Sequence, residues 1–193
     1  YEMSASLVGS EMCIRDRISV VSLLLLASCG GKGKDAASMD YGLEEANEVI
    51  SYYNTSIDIT KKMVDMGEIS KIIDYMQKNG KTLVAPVVIR TPVSATDTTA
   101  LLNPGDCFPP SAADSLKMYY RRFFDVSKRL YANYDTYRDY IKAEDYKDDN
   151  YAKGNEICKE EKELAEQIPG LRSQIYALLT PYADKAEEAT LMD

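Results

Sequence analysis

Between residues 116 and 141, large side chains recur every seven positions in two parallel rows. Leu116, Phe123, Leu130 and Tyr137 form one row; Tyr120, Ser127, Tyr134 and Ile141 form the other. Seven residues make two turns of an α-helix, so both rows fall on one face and build a seam about seven turns long. A helix carrying such a seam is marginal alone and has to lay it against other helices. The same period returns downstream. Ile157, Leu164, Leu171 and Leu178 repeat every seven, with Ile168, Ile175 and Tyr182 in a companion row. The phase survives Pro169-Gly170, which either kinks one long helix or separates two collinear ones.

A third helical pattern precedes these two. Leu43, Val49, Ile50, Tyr53, Ile57, Val64, Ile69, Ile72, Ile73 and Met76 recur at near-helical spacing. Ser38 or Asp40 can cap its start, Glu44 and Glu45 suit its positive end, Gly67 can kink or break it, and Asn79-Gly80 stops it. From 81 to 110 the period vanishes into an apolar β-branched run, a Ser/Thr stretch and four prolines after Pro86. Connections of that length are commonly functional, so this one is the expected place for a specific contact. Ser111, with Asp114 three residues on, can open the seam helix. These patterns predict an all-α fold: an antiparallel helical bundle of three to four long helices with one long irregular connection. The helical domain is expected over 39–193. Its pattern still runs at the last residues, which fits a bundle that continues further.

The N-terminal region is of another kind. The chain opens at Tyr1, and residues 6–17, when back-translated, fit a transposon-type sequencing adapter whose terminal repeat reads Met12-Cys13-Ile14-Arg15-Asp16. Residues 1–17 therefore read as foreign to the native protein. Residues 18–28 read as a lipoprotein signal peptide whose basic start has been lost. Their apolar run, about ten residues, suits a secretory leader and falls short of the roughly twenty that span a bilayer. It ends in Leu26, Ala27, Ser28 and Cys29, which resembles the bacterial lipobox. That resemblance implies cleavage before Cys29, a diacylglyceryl group on its sulfur and a further acyl chain such as palmitate on the new amino group. Several chains anchor a protein stably where one is marginal. Gly30 stands where Asp would signal inner-membrane retention, which favours the outer membrane. Residues 29–38 form a Gly/Lys/Ala/Ser tether. The expected partner is thus a membrane, reached through lipid.

Composition narrows the chemistry. The net charge is −8, which repels nucleic acid and anionic headgroups, so no nucleic-acid partner is expected. The chain holds no His. The commonest general base, the His-activated nucleophile and the usual zinc ligands are therefore missing, and neither a metal nor a cofactor is expected. Beyond Cys13 and Cys29, Cys107 and Cys158 remain. In an oxidising compartment they can pair as a disulfide, or Cys158 can simply pack within its helix.

The joint between the second and third patterns reads Glu144-Asp145-Tyr146-Lys147-Asp148-Asp149-Asn150-Tyr151-Ala152-Lys153-Gly154. Asp148 or Asp149 can cap the following helix, and the flanking tyrosines can wedge into the core. Asp145, Asp149 and Glu156 also stand at the first, fifth and twelfth positions of a calcium loop. Lys147 at the third and Asn150 at the sixth argue against one. This stretch, above all Tyr146, Lys147, Asp148, Asp149 and Asn150, resembles the signature of YiiG-like bacterial lipoproteins, whose domain of unknown function is DUF3829. Those proteins also have a lipobox, a Tyr-rich helix before the signature and a long connection containing a Cys. Here these features fall at 26–29, 119–140 and 81–110, with Cys107 in the connection. Members are longer at the C-terminus and carry another Cys in the first helix, where this chain has Tyr52-Tyr53-Asn54. The resemblance implies no catalytic residues.

These readings point to a cell-envelope lipoprotein that is not an enzyme and serves as a scaffold or binding protein for an envelope partner. Two alternatives remain. One is a small-molecule carrier with a pocket lined by Tyr120, Tyr134 and Tyr137, although tyrosine more commonly fills a bundle core with its hydroxyl at the rim. The other is a hydrolase working through paired carboxylates.

Overall fold

The computed structural model describes residues 36–80, 84–89 and 93–192. The adapter-like run, the apolar leader, the lipobox Leu26, Ala27 and Ser28, Cys29 and the tether up to residue 35 lie outside the described residues. Every regular element among those described is helical. A short 3-10 turn, Ala36–Ser38, is followed by α1 (Leu43–Met63), α2 (Met66–Gln77), α3 (Ala95–Leu102), α4 (Pro110–Ala143), α5 (Tyr146–Asp149), α6 (Ala152–Ala165) and α7 (Gln167–Leu191). The 3-10 turn packs on α7, so the end of the expected tether belongs to the folded body.

Three arms make the bundle: α1 with α2, then α4, then α6 with α7. The first arm divides at Val64–Asp65 and not at Gly67. Val64 takes an extended backbone, and Asp65 accepts hydrogen bonds from the amides of Gly67 (2.7 Å) and Glu68 (3.2 Å). A side-chain cap restarts a helix more decisively than one glycine breaks it. Asn79 and Gly80 end α2 in left-handed conformations, with the Gly80 amide donating to the Tyr75 carbonyl, as expected. At its start, α1 uses neither Ser38 nor Asp40. Gly42 is the N-cap, and its amide donates to the Glu45 carboxylate at 3.2 Å. Likewise α4 opens at Pro109-Pro110, one turn position ahead of Ser111, because proline at the first helical position loses no bond. Between α6 and α7, Glu166 keeps helical dihedrals, so the two helices follow one another directly, and the interruption falls just ahead of Pro169, whose ring nitrogen cannot donate to the Ala165 carbonyl.

The third arm runs antiparallel to the other two. Arg129 of α4 pairs with Glu160 of α6 at 2.6 Å, Arg122 donates to Gln167 at 2.5 Å, and Tyr137 lies against Gly154. A Cβ on Gly154 would stand 2.8 Å from the Tyr140 ring, so the close approach of α6 to α4 depends on that glycine. Against α1, the last helix sends Arg172, whose guanidinium donates to the carbonyls of Thr60 (2.6 Å) and Val64 (2.5 Å) and so caps the end of α1.

The first two arms run parallel to one another. Tyr120 donates to Ser56, Tyr131 to Glu68 and Tyr137 to the Met76 carbonyl, so sequence number rises along both helices together. Parallel neighbours cannot be joined by a tight turn. The chain has to travel back the length of the first arm before α4 can begin, and this is why the connection is long. It descends as an extended strap. The Pro86 carbonyl accepts from Tyr134 at 2.5 Å, and the Ile89 amide donates to Glu68 at 3.0 Å. The Ser/Thr stretch then folds into α3, which is capped by Ser94 (3.1 Å to the Thr96 amide) and seats Leu101 in the core.

Candidate functional site

A large concavity lies between α1 and α3, where the returning connection meets the first arm. It is a solvent-open groove of about 820 Å³. Glu44, Glu48, Ser51 and Thr55 line one side at helical spacing, with Asn47 and Tyr52 beside them, and Ala100 and Asn103 of α3 supply the other. Its walls are fixed. Tyr52 donates to the Leu101 carbonyl at 2.7 Å, and its ring lies 5.2 Å from Phe108 and 6.2 Å from Tyr120. Burial, with Tyr120 beside it, pushes the Tyr52 phenol far above the ordinary tyrosine range, so it stays a neutral donor. Below the groove, Tyr41 donates to the Cys107 carbonyl at 3.1 Å. The two groove carboxylates, Glu44 and Glu48, stand one turn apart on the same helix, and the residues lining the opposite side, Ala100 and Asn103, are uncharged.

Most residues singled out in the sequence serve structure. Tyr120, Tyr134 and Tyr137 are fully buried, and each hydroxyl is spent on another part of the chain: Ser56, the Pro86 carbonyl and the Met76 carbonyl. They fill the core, and none of the three lines the groove. Cys107 and Cys158 are both buried and unbonded. The first lies just ahead of α4, while the second sits near Tyr137 toward its far end. At ~1.5 Å per residue the helix sets them roughly 40 Å apart, against a limit of about 7 Å for a disulfide. The disulfide expectation is therefore corrected. Burial first, then nearby Glu48, raises the Cys107 thiol to about 11, and burial also raises Cys158.

The joint performs the capping role. Asp149 accepts from the Tyr140 hydroxyl (2.6 Å) and from the Lys153 amide in the first turn of α6 (3.0 Å). The Tyr140 bond, ahead of the amide bonds, holds the Asp149 carboxyl below its usual range. Glu144, Asn150 and Tyr151 all adopt left-handed backbone, and Lys147 closes onto Glu144. The flanking tyrosines do not wedge into the core. Tyr146 and Tyr151 stack on each other at 4.8 Å and are both half-buried.

One residue escaped the sequence reading. Glu161 of α6 is completely buried, and neither carboxylate oxygen has a hydrogen-bond partner. Burial first, and adjacent Glu160 second, push its carboxyl up to about 8. The signal was present: the companion row Ile168, Ile175, Tyr182, continued backward by seven, lands on Glu161 and then on Gly154.

A family model described as a domain of unknown function, DUF6845, matches residues 40–193. The chain belongs to this family. The DUF6845 protein is also similar to a crystallised DUF3829 family protein from Bacteroides vulgatus, at 35% identity and a TM-score of 0.69. That match covers 76% of this chain and 96% of the other. An alpha helical protein from Bacteroides fragilis matches at 33% identity and a TM-score of 0.64, covering 78% of this chain and 57% of that one. An uncharacterized DUF3829-like protein from Bacteroides thetaiotaomicron matches at 26% and 0.62, covering 78% and 54%. The DUF6845 chain thus spans little more than half the length of the last two. None of the curated proteins matches it. The relationship to DUF3829 inferred from 144–154 is borne out, as is the bundle of long helices.

Proposed function

We propose that this DUF6845 protein is a cell-envelope lipoprotein, held on the outer membrane by lipid at Cys29, and that its helical domain is a non-enzymatic scaffold that binds an envelope protein. The observation that carries the binding role is the groove between α1 and α3. It is a concavity of about 820 Å³ built with contributions from the long connection, and its aromatic floor is fixed by the Tyr52 bond to Leu101. The non-enzymatic reading is supported by the arrangement there. Glu44 and Glu48 sit side by side on one helix, whereas paired-carboxylate hydrolysis needs an acid and a base flanking the scissile bond. The anchor is supported by the apolar leader ending in Leu26, Ala27, Ser28 and Cys29.

Both parts have direct tests. Metabolic labelling with a fatty-acid analogue is expected to mark the wild-type protein and not Cys29→Ala; equal labelling of the two refutes the anchor. Crosslinking in intact cells is expected to capture an envelope protein on the wild type and to lose it in Ala100→Trp, which fills the groove from an exposed position. Capture unchanged by that substitution removes the groove from the proposal.

A further inference from the structure

Two acids, Glu44 and Glu48, line the groove, and no Lys or Arg does. Residues 36–60 and 93–116 contain Asp40, Glu44, Glu45, Glu48, Asp97 and Asp106, with Asp58 and Asp114 paired to Lys62 and Lys117 just beyond them, and neither stretch itself holds a Lys or Arg. These two stretches supply both walls of the groove. Further along the chain several surface acids are matched by cations at short range: Asp74 by Lys78, Glu144 by Lys147, Glu160 by Arg129 and Glu188 by Lys185. The asymmetry is thus local. A concave, low-dielectric wall focuses the field of such charges and raises the local concentration of a cation.

Shape and lining narrow the occupant further. From Glu44 to Thr55 the α1 wall rises about 16 Å at ~1.5 Å per residue, and the groove is open along that length. An elongated occupant fits this better than an enclosed small molecule. Leu43, Tyr52 and Ala100 offer apolar surface, while Asn47, Ser51 and Asn103 offer amide and hydroxyl groups to a peptide backbone. We infer that the α1/α3 groove receives a Lys- or Arg-bearing peptide segment of a partner protein, its cationic groups set against Glu44 and Glu48 and an apolar side chain against Tyr52. The inference rests on the groove being the contact surface proposed above. It excludes anionic lipid headgroups and nucleic acid, which this wall repels.

Fluorescence anisotropy on the purified helical domain tests it. The probes are a short labelled lysine-leucine peptide and its glutamine-leucine and glutamate-leucine counterparts. The lysine peptide is expected to bind, to weaken steeply as salt is raised, and to lose about tenfold in affinity to the Glu44→Gln/Glu48→Gln protein, the loss of roughly 1.4 kcal/mol of attraction. The glutamate peptide is expected not to bind. Ala100→Trp should abolish the lysine-peptide signal, and both variants alter exposed positions, so unfolding transitions matching the wild type confirm intact protein. If the glutamine peptide binds as tightly as the lysine peptide and Ala100→Trp blocks both, the cationic assignment falls while the groove stands. If the lysine peptide binds equally well to Ala100→Trp, the groove itself is overturned. No binding by the lysine peptide also overturns the inference.

Discussion

The tyrosine seam of α4 and the middle of α6 both place polar atoms in the core, and they treat them in opposite ways. Tyr120, Tyr134 and Tyr137 put their hydroxyls at the far end of a rigid ring, where each reaches across to a different element: α1, the strap and α2. The ring fills volume, and the hydroxyl finds a partner at the edge. Glu161 projects from the same kind of heptad position on a shorter, flexible stem and finds nothing. A buried carboxylate without a partner loses its hydration and gives up its charge, which is the cause of its raised titration. The comparison teaches that burial of a polar atom is tolerated here according to its reach. Ser56, Thr60 and Ser127 obey the same rule: each is buried, and each is hydrogen-bonded within a neighbouring turn or to the next helix.

The largest expected effect lies on the tyrosine side. Tyr137→Ala removes a fully buried ring that packs against Tyr75 at 5.8 Å and also deletes the hydroxyl bond to the Met76 carbonyl, which keeps the Asn79 amide. Its expected cost is about 3–5 kcal/mol, read from the urea midpoint. A loss below ~1 kcal/mol would show that the seam is not the centre of the core.

Next comes Glu161, where the sign depends on pH. Its carboxyl titrates near 8 in the fold against an ordinary value of 4.5. The unfolded chain therefore releases its proton first. Stability from this group is complete below about 4.5 and declines as pH rises through 8, because the fold then either holds a proton against the solution or buries a charge. Glu161→Leu is expected to stabilise by on the order of 2–4 kcal/mol at pH 9, and by much less at pH 5. Parallel stability curves for the two proteins across that range would mean that Glu161 is not a lone buried carboxylate.

The smallest effect sharpens the idea of reach. Tyr134→Phe keeps the ring and deletes only the bond to the Pro86 carbonyl, at about 1 kcal/mol. The change should appear mainly as faster amide hydrogen exchange in residues 84–89, with exchange in α4 unchanged. Equal acceleration in both segments would assign Tyr134 to the core alone.

The heptad rows made the arms legible because a seven-residue period has one structural meaning in a soluble helix. Val126, Leu130, Leu164, Ile168 and Ile175 are buried where those rows or their neighbours place them. The parallel relation of α1–α2 to α4 was not legible as direction, although the thirty-residue connection was its mark: a tight turn would have served antiparallel neighbours. The helix α3 was hidden because Thr and Ser have weak helix propensity, and its formation depends on Leu101 finding the core and Tyr52 fixing its end. Without α3 in view, the groove could not be seen either. The connection supplies one wall of that groove, but the residues of α1 that complete it read simply as a solvated acidic face.

The crossover has one more effect, on the order in which the domain can assemble. The joint at 144–151 closes a local hairpin between α4 and α6, so these helices can meet over a short loop. The first helix has no such neighbour. It packs most extensively on α7, more than a hundred residues away, and its final carbonyls wait for Arg172. Among the described helices, α1 is thus made first and yet receives its most extensive cover only when α7 arrives.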